Sequence, residues 1–280
     1  MKALAIDLDG TALTHGGVFS AHLSDVLNQL SAKGYKIIIA TGRSMKSLQT
    51  KVPEETKVDG YVAASGVRVQ TKDQVLESHV FKKETAKFIL NLARKHNMYY
   101  EINTVNDGPF TYESDRAYIL KDLLREPDKS TYGYELIGID RTLKNPDQWV
   151  DDINMEETIK FYFFSMMKDK ITRFYEILKS HSDNNSRYVL YQTAPHNSET
   201  MVPGVDKGTG LATLLEHFDI DFKDLHVFGD SMNDISMFKR AGRRTAMKNA
   251  TEDLKATADD VTKFSCDDDG LAKYLEEHYL

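Results

Sequence analysis

One cysteine, Cys266, leaves an internal disulfide without a partner and fits a reducing compartment. No apolar run approaches membrane-spanning length, and no signal-like stretch stands ahead of the apolar residues that begin at Ala3, so a cytoplasmic location is expected. No block of basic residues is present either. With 36 basic and 43 acidic side chains the net charge is −7, which argues against a nucleic-acid surface. His15, His22, His79, His181, His217, His226 and His278 show no metal-ligand spacing and read as ordinary surface or core residues. Internal repeats and low-complexity segments are also missing. What remains is a globular composition, 41% hydrophobic and 28% charged, over 280 residues, long enough for two domains.

Both ends of the chain alternate strand and helix. Ala3 to Ile6 reads as a buried strand, and Ser20 caps a helix carrying Leu23, Val26, Leu27 and Leu30, with Gly34 at its exit. Lys36 to Ala40 and Val58 to Ala64 read as further strands. Near the other end, Lys207 to Phe218 is a helix, Leu225 to Phe228 a strand, and Asp234 to Arg240 a helix ended by Gly242. A helix near Thr251 to Thr257 follows, and Asp267, Asp268 and Asp269 precede and cap a last one, Leu271 to His278. This rhythm predicts an α/β fold with a parallel sheet covered on both faces, binding ligands at the carboxyl ends of its strands.

The middle of the chain differs. Helices over Lys83 to His96 and Lys168 to Lys179 stand among strands at Met98 to Ile102, Tyr132 to Ile137, Thr158 to Met166 and Arg187 to Gln192. Most of the aromatic residues lie here, including the only tryptophan, Trp149. The pattern is that of an inserted α+β domain with its own core. The expected division is residues 1–81 with 204–280, interrupted by 82–203.

Four short elements follow strand ends or open helices in the α/β part. Asp7-Leu8-Asp9-Gly10-Thr11 puts two carboxylates one residue apart beyond a buried strand. Like charges that close raise each other's pKa unless a cation neutralises them, and Mg2+ takes such oxygens; an acidic turn is the alternative. Thr41-Gly42-Arg43-Ser44 offers a hydroxyl and backbone N–H groups to an anion, or only a helix cap. Lys207, opening a helix, has the wrong sign for the dipole there, so it is either solvated or held beside an anion. Gly229-Asp230-Ser231-Met232-Asn233-Asp234 aims Asp230 and Asp234 at one point, or caps the next helix. Taken together these groups suit phosphoryl transfer, which rests on positioning and on neutralising spread negative charge.

In this order and spacing the four elements resemble the haloacid dehalogenase (HAD) superfamily, and the large insertion resembles its Cof-type phosphatases with a C2B-type cap. Ala246-Met247-Lys248-Asn249-Ala250 and Ala258-Asp259-Asp260-Val261-Thr262 look like the subfamily's C-terminal signature. The resemblance implies a Rossmann-like core plus a C2-type cap that closes over the site. It implies Asp7 as nucleophile, forming an aspartyl-phosphate, and Asp9 as acid and then base. Mg2+ would be held by Asp7, the Asp9 carbonyl and Asp230, supported by Asp234. Thr41, Gly42 and Lys207 would bind phosphoryl oxygens, with Asn233 helping to orient them. Where many relatives carry Asn-Gly after the third strand, this chain has Ser65-Gly66, a departure that bears on substrate choice. Arg116, Arg187 and His196 are candidates for cap contacts, from charge and expected loop placement.

The activity so implied is hydrolysis of a small phosphorylated metabolite, sugar phosphates first, pyridoxal phosphate or flavin mononucleotide next. A sugar phosphomutase uses the same aspartates, and a non-catalytic binding or regulatory protein is a third reading. No nucleic-acid or membrane partner is expected, and the chain is expected to be a monomer or a small homo-oligomer.

Overall fold

The computed structural model describes residues 2–183, 187–192 and 194–280, without the side chains of Tyr134 and Asp183. In chain order the elements begin with β1 (Ala3–Ile6), α1 (Ala21–Ala32), β2 (Lys36–Ala40), α2 (Met45–Gln49) and β3 (Gly60–Ala63). A hairpin of β4 (Arg68–Thr71) and β5 (Val75–Ser78) follows. The middle holds α3 (Lys83–Lys95), β6 (Tyr99–Thr104), β7 (Thr111–Tyr112), α4 (Arg116–Leu123), α5 (Gly133–Lys144) and β8 (Trp149–Val150). It continues through β9 (Thr158–Phe164), α6 (Lys168–Asp183), β10 (Val189–Tyr191) and β11 (Asn197–Met201). The chain then runs through α7 (Lys207–His217), β12 (Leu225–Gly229), α8 (Ile235–Phe238), β13 (Arg243–Ala246), α9 (Glu252–Lys255), β14 (Asp260–Val261) and α10 (Gly270–Tyr279).

Two compact units result, residues 1–78 with 205–280, and residues 79–204. The first is built on an eight-stranded sheet ordered β14-β13-β12-β1-β2-β3-β4-β5. Its pairs from β14 to β3 are parallel, as helical crossovers demand, and β3-β4-β5 are antiparallel. The parallel part matches the sequence reading; the antiparallel edge is an addition, two four-residue strands too short to stand out as a pattern. β1 is buried at every position and lies between β2, the next strand in the chain, and β12, from near its other end. The strand order therefore reverses at β1, and the crevice beyond its carboxyl end is where open α/β sheets bind ligands.

Buried in that sheet, His226 lies between Thr245 Oγ1, 2.8 Å from its Nε2, and the Tyr279 hydroxyl, 2.5 Å from its Nδ1. Burial, with Arg243 nearby, lowers its pKa from 6.5 to about 3. A histidine kept neutral contributes stability above its unfolded pKa, and that contribution is lost as pH falls from 6.5 toward 3. Urea denaturation at stepped pH should show a loss of up to about 1.4 kcal/mol per unit over that window. His226→Gln should flatten it; an unchanged slope would remove His226 as the cause.

The second unit packs helices on a four-stranded antiparallel sheet, β10-β11-β9-β6, with β7 and β8 pairing apart from it. Its core gathers the aromatic residues, with Phe163 edge-on to Phe174 at 5.0 Å. One expectation fails here. Tyr132 to Ile137 is not a strand: α5 begins at Gly133, and the Tyr132 N–H donates to Glu135 Oε2 at 3.0 Å. The buried positions Glu135, Ile139 and Thr142 fall at helical spacing, a period that six residues of alternating character do not reveal.

Two smaller differences occur in the first unit. The helix expected over Asp234 to Arg240 is a single 3-10 turn, Met232–Asp234, leading into the four-residue α8. The acidic run precedes α10 but does not cap it: Asp269 occupies the cap position at φ 57° with no side-chain bond into the helix. Asp268 instead accepts from Ser265 Oγ at 2.7 Å, and Asp267 pairs with His15.

Candidate functional site

Three carboxylates meet at the carboxyl ends of β1 and β12. Asp7 follows β1 and ties its N–H to the Phe228 carbonyl of β12 at 3.0 Å, so the two strand tips advance together. Asp230 follows β12, and Asp234 closes the next turn. There it accepts from the N–H groups of Asp230 at 3.0 Å and Ser231 at 3.2 Å. One oxygen each of Asp7, Asp230 and Asp234 fall within 4.8 Å of one another. Two glycines make room: a Cβ on Gly10, whose φ is +76°, would collide with the Asp230 carboxylate, and one on Gly229 would lie 2.5 Å from Asp234 Oδ2.

Lys207 resolves the choice left open by its position. It is the first residue of α7, whose cap is Asp206, accepting from the Thr209 N–H at 2.8 Å. Its ammonium is not solvated but buried, 2.6 Å from Asp7 Oδ1 and 2.6 Å from Asp234 Oδ1. Those two anions keep its pKa above the usual lysine value despite burial. One cation does not balance three carboxylates. Burial raises the Asp7 pKa from 3.8 to about 8, against the pull of Lys207 and helped by Asp234 and Asp230. Burial and Asp234 likewise push Asp230 to about 6. An all-oxygen cluster with surplus negative charge fits a hard divalent cation such as Mg2+, which would reverse both shifts.

Thr41 is buried at the end of β2, and its Oγ1 accepts from the Arg43 N–H at 3.1 Å. Ser65 is brought beside it: its N–H donates to the Thr41 carbonyl at 2.9 Å, and its Oγ stands about where a Cβ on Gly42 would touch, 3.5 Å away. Asn233 lies exposed in the turn before α8, its Oδ1 accepting from Ser231 Oγ at 2.9 Å.

Arg43 was not singled out by sequence reasoning. It grips Asp9 with two bonds, Nε to Oδ2 at 2.8 Å and Nη2 to Oδ1 at 2.7 Å, while Nη1 reaches Ser47 Oγ at 3.1 Å. Asp9 thus belongs to a second pair beside the buried cluster. The signal lies in the Thr41-Gly42-Arg43 run, but the partner, 34 residues away, is a tertiary fact. Asn249 lies within the C-terminal signature, and its Nδ2 holds the Gly10 carbonyl at 2.8 Å.

The three cap candidates lie in the second unit, and the structure does not gather them. Arg116 opens α4, pairs with Glu113 at 3.2 Å and sits over the Trp149 ring at 5.0 Å. Arg187 is exposed and lies over Phe88 at 5.4 Å. His196 corrects an expectation of loop exposure: it is fully buried, with Nδ1 2.9 Å from the Ser165 carbonyl and Nε2 2.9 Å from Ser130 Oγ. Both ring nitrogens serve the domain's own packing.

The family model for haloacid dehalogenase-like hydrolases matches residues 4–275. A 5-amino-6-(5-phospho-D-ribitylamino)uracil phosphatase of Bacillus subtilis is 28% identical, over 99% of this chain and 98% of its own. An HMP-PP phosphatase of Yersinia enterocolitica is 27% identical, over 100% of this chain and 95% of its own. A crystal structure from Thermotoga maritima shares the fold with a TM-score of 0.78 at 22% identity, covering 100% of this chain and 98% of that one.

Proposed function

The chain belongs to the haloacid dehalogenase-like hydrolases, and from that membership we propose that it is a Mg2+-dependent phosphatase of small phosphorylated metabolites, sugar phosphates foremost. The observation that carries this reading is the buried Asp7–Lys207–Asp234 triad at the point where the strand order reverses. Lys207 fixes the Asp7 carboxylate and leaves its second oxygen for attack on phosphorus, forming an aspartyl-phosphate. Asp9 protonates the leaving oxygen and then takes the proton of the water that hydrolyses the acyl phosphate. Thr41, the backbone at Gly42, Lys207 and Asn233 are assigned to the phosphoryl oxygens. Asp7, the Asp9 carbonyl and Asp230, with Asp234 behind them, are the groups that would hold Mg2+, whose charge would offset that of the transferring phosphoryl group. Residues 79–204 are assigned the choice of substrate. A relative named for a phosphorylated ribitylamino compound supports a polyol-like leaving group.

Phosphate release from sugar phosphates, pyridoxal phosphate and flavin mononucleotide, with and without Mg2+, tests the proposal. Release that depends on Mg2+ supports it and ranks the substrates. Isomerisation primed by a sugar bisphosphate, with little phosphate freed, would replace it with a phosphomutase.

Arg43 has a separable consequence. A carboxylate gripped through both oxygens cannot donate a proton from that pose, so Arg43 orients Asp9 between turnovers. Arg43→Ala should lower kcat on alkyl phosphates by about 10- to 100-fold. The effect on p-nitrophenyl phosphate should be smaller, because that leaving group needs less protonation. Equal losses on both substrates would place Arg43 on the phosphate instead.

A further inference from the structure

Among the described residues, one other group of side chains outside the carboxylate cluster has the donors and spacing of a metal site. His15 lies in the loop after β1, and Cys266 and Asp267 lie in the turn before α10. These segments are about 250 residues apart in sequence. His15 Nδ1 stands 3.5 Å from Cys266 Sγ and 2.7 Å from Asp267 Oδ2, and one atom from each of the three lies within 4.8 Å of the others. We propose that His15, Cys266 and Asp267 form a second metal site, for a borderline divalent cation such as Zn2+, which ties the loop after β1 to the turn before α10. It is independent of the phosphatase reading.

Geometry and donor chemistry support this. In tetrahedral zinc, bond lengths of about 2.3 Å to sulfur and 2.0–2.1 Å to nitrogen put those ligands about 3.5–3.6 Å apart, the separation found here. The carboxylate, with Zn–O of about 2.0–2.2 Å, would stand about 3.3 Å from the nitrogen, so Asp267 must withdraw by roughly half an ångström. Its side chain is 50% exposed, which leaves Oδ2 room to do so while Oδ1 keeps the His15 N–H. A thiolate with an imidazole selects zinc-like ions over Mg2+, the reverse of the all-oxygen site. An exposed His–Asp pair by itself contributes little and does not account for a buried thiol set against the same nitrogen.

Burial, with Asp267 beside it, pushes the Cys266 thiol up, so a bound cation would have to favour the thiolate here. The His15 backbone N–H donates to Asp267 Oδ1 at 2.8 Å, the kind of outer donor that orients a metal ligand. The Cys266 N–H donates to Asn249 Oδ1 at 2.9 Å, and Asn249 Nδ2 holds the Gly10 carbonyl at 2.8 Å. A metal here would therefore brace the Asp7–Gly10 turn through two hydrogen bonds. The fourth position faces outward beside His15, 64% exposed, and would carry water.

The test uses the full chain, stripped with a chelator and held in excess Mg2+ to fill the carboxylate site. Co2+ should bind with one equivalent showing a near-ultraviolet thiolate-to-cobalt charge-transfer band and the visible bands of a four-coordinate ion. Zn2+ should abolish both and raise Tm. Cys266→Ser should lose the charge-transfer band. His15→Ala, a change at an exposed side chain, should weaken Zn2+ binding at least about 10-fold while leaving the metal-free Tm unchanged. Co2+ binding without the charge-transfer band, or Zn2+ affinity unchanged in His15→Ala, overturns the proposal.

Discussion

Asp7→Asn should lower phosphate release by about 10,000-fold or more while leaving the protein folded, because the carboxylate proposed to attack phosphorus becomes an amide. Stability should hardly fall. Lys207 keeps Asp234 at 2.6 Å, so no buried charge is left alone. The substitution also removes one of three carboxylates crowded about a single ammonium, the crowding that adds to the effect of burial on Asp7. Single-turnover assays with circular dichroism on the same preparation check both halves. Retained turnover would remove Asp7 as nucleophile; loss of fold would mean that Asp7 is needed chiefly to partner Lys207.

The opposite behaviour is expected of Lys207→Met. Without the ammonium, Asp7 and Asp234 face each other and Asp230 in a buried site, and breaking a buried pair from one side costs about 3–5 kcal/mol. Thermal melts should show a large fall in Tm together with loss of activity. The pH dependence follows from the raised Asp7 pKa. With Lys207 in place that pKa is already about 8, and loss of the ammonium, which pulls it down, raises it further. A group so raised contributes stability fully below its unfolded value near 3.8 and loses it only as pH rises through the folded value. The variant should therefore recover stability as pH is lowered from 8 toward 5, and Mg2+ should restore part of it at pH 8. A variant as stable as the parent at pH 8 would show that the three carboxylates do not repel as argued.

How far the site could be read beforehand follows from its chemistry. Asp7 and Asp9, Thr41 and Gly42, Asp230 and Asp234 all sit one to five residues beyond a strand end, and the strands Ala3–Ile6, Lys36–Ala40 and Leu225–Gly229 are apolar enough to be recognised. In a parallel sheet, strand ends converge, so short motifs at those ends meet without knowledge of the intervening chain. Lys207 was ambiguous because a lysine at a helix start looks the same whether it faces water or an anion. The burial of His196 and the helix at Gly133–Lys144 are not legible in the sequence, because no local pattern marks what packs over a residue.

The sequence by itself determined the alternation of strand and helix, the position of the insertion and the carboxylate-rich strand ends. Each is written within a window of a few residues, through periodicity, turn chemistry and the cost of adjacent like charges. Tertiary structure alone decided that Arg43 clasps Asp9, that Lys207 bridges Asp7 and Asp234, and that His15 meets Cys266 and Asp267. Those contacts join residues 27 to about 250 positions apart. Histidines with no ligand spacing along the chain can still acquire it in space, because the closing of the sheet, not sequence proximity, sets which side chains share a site.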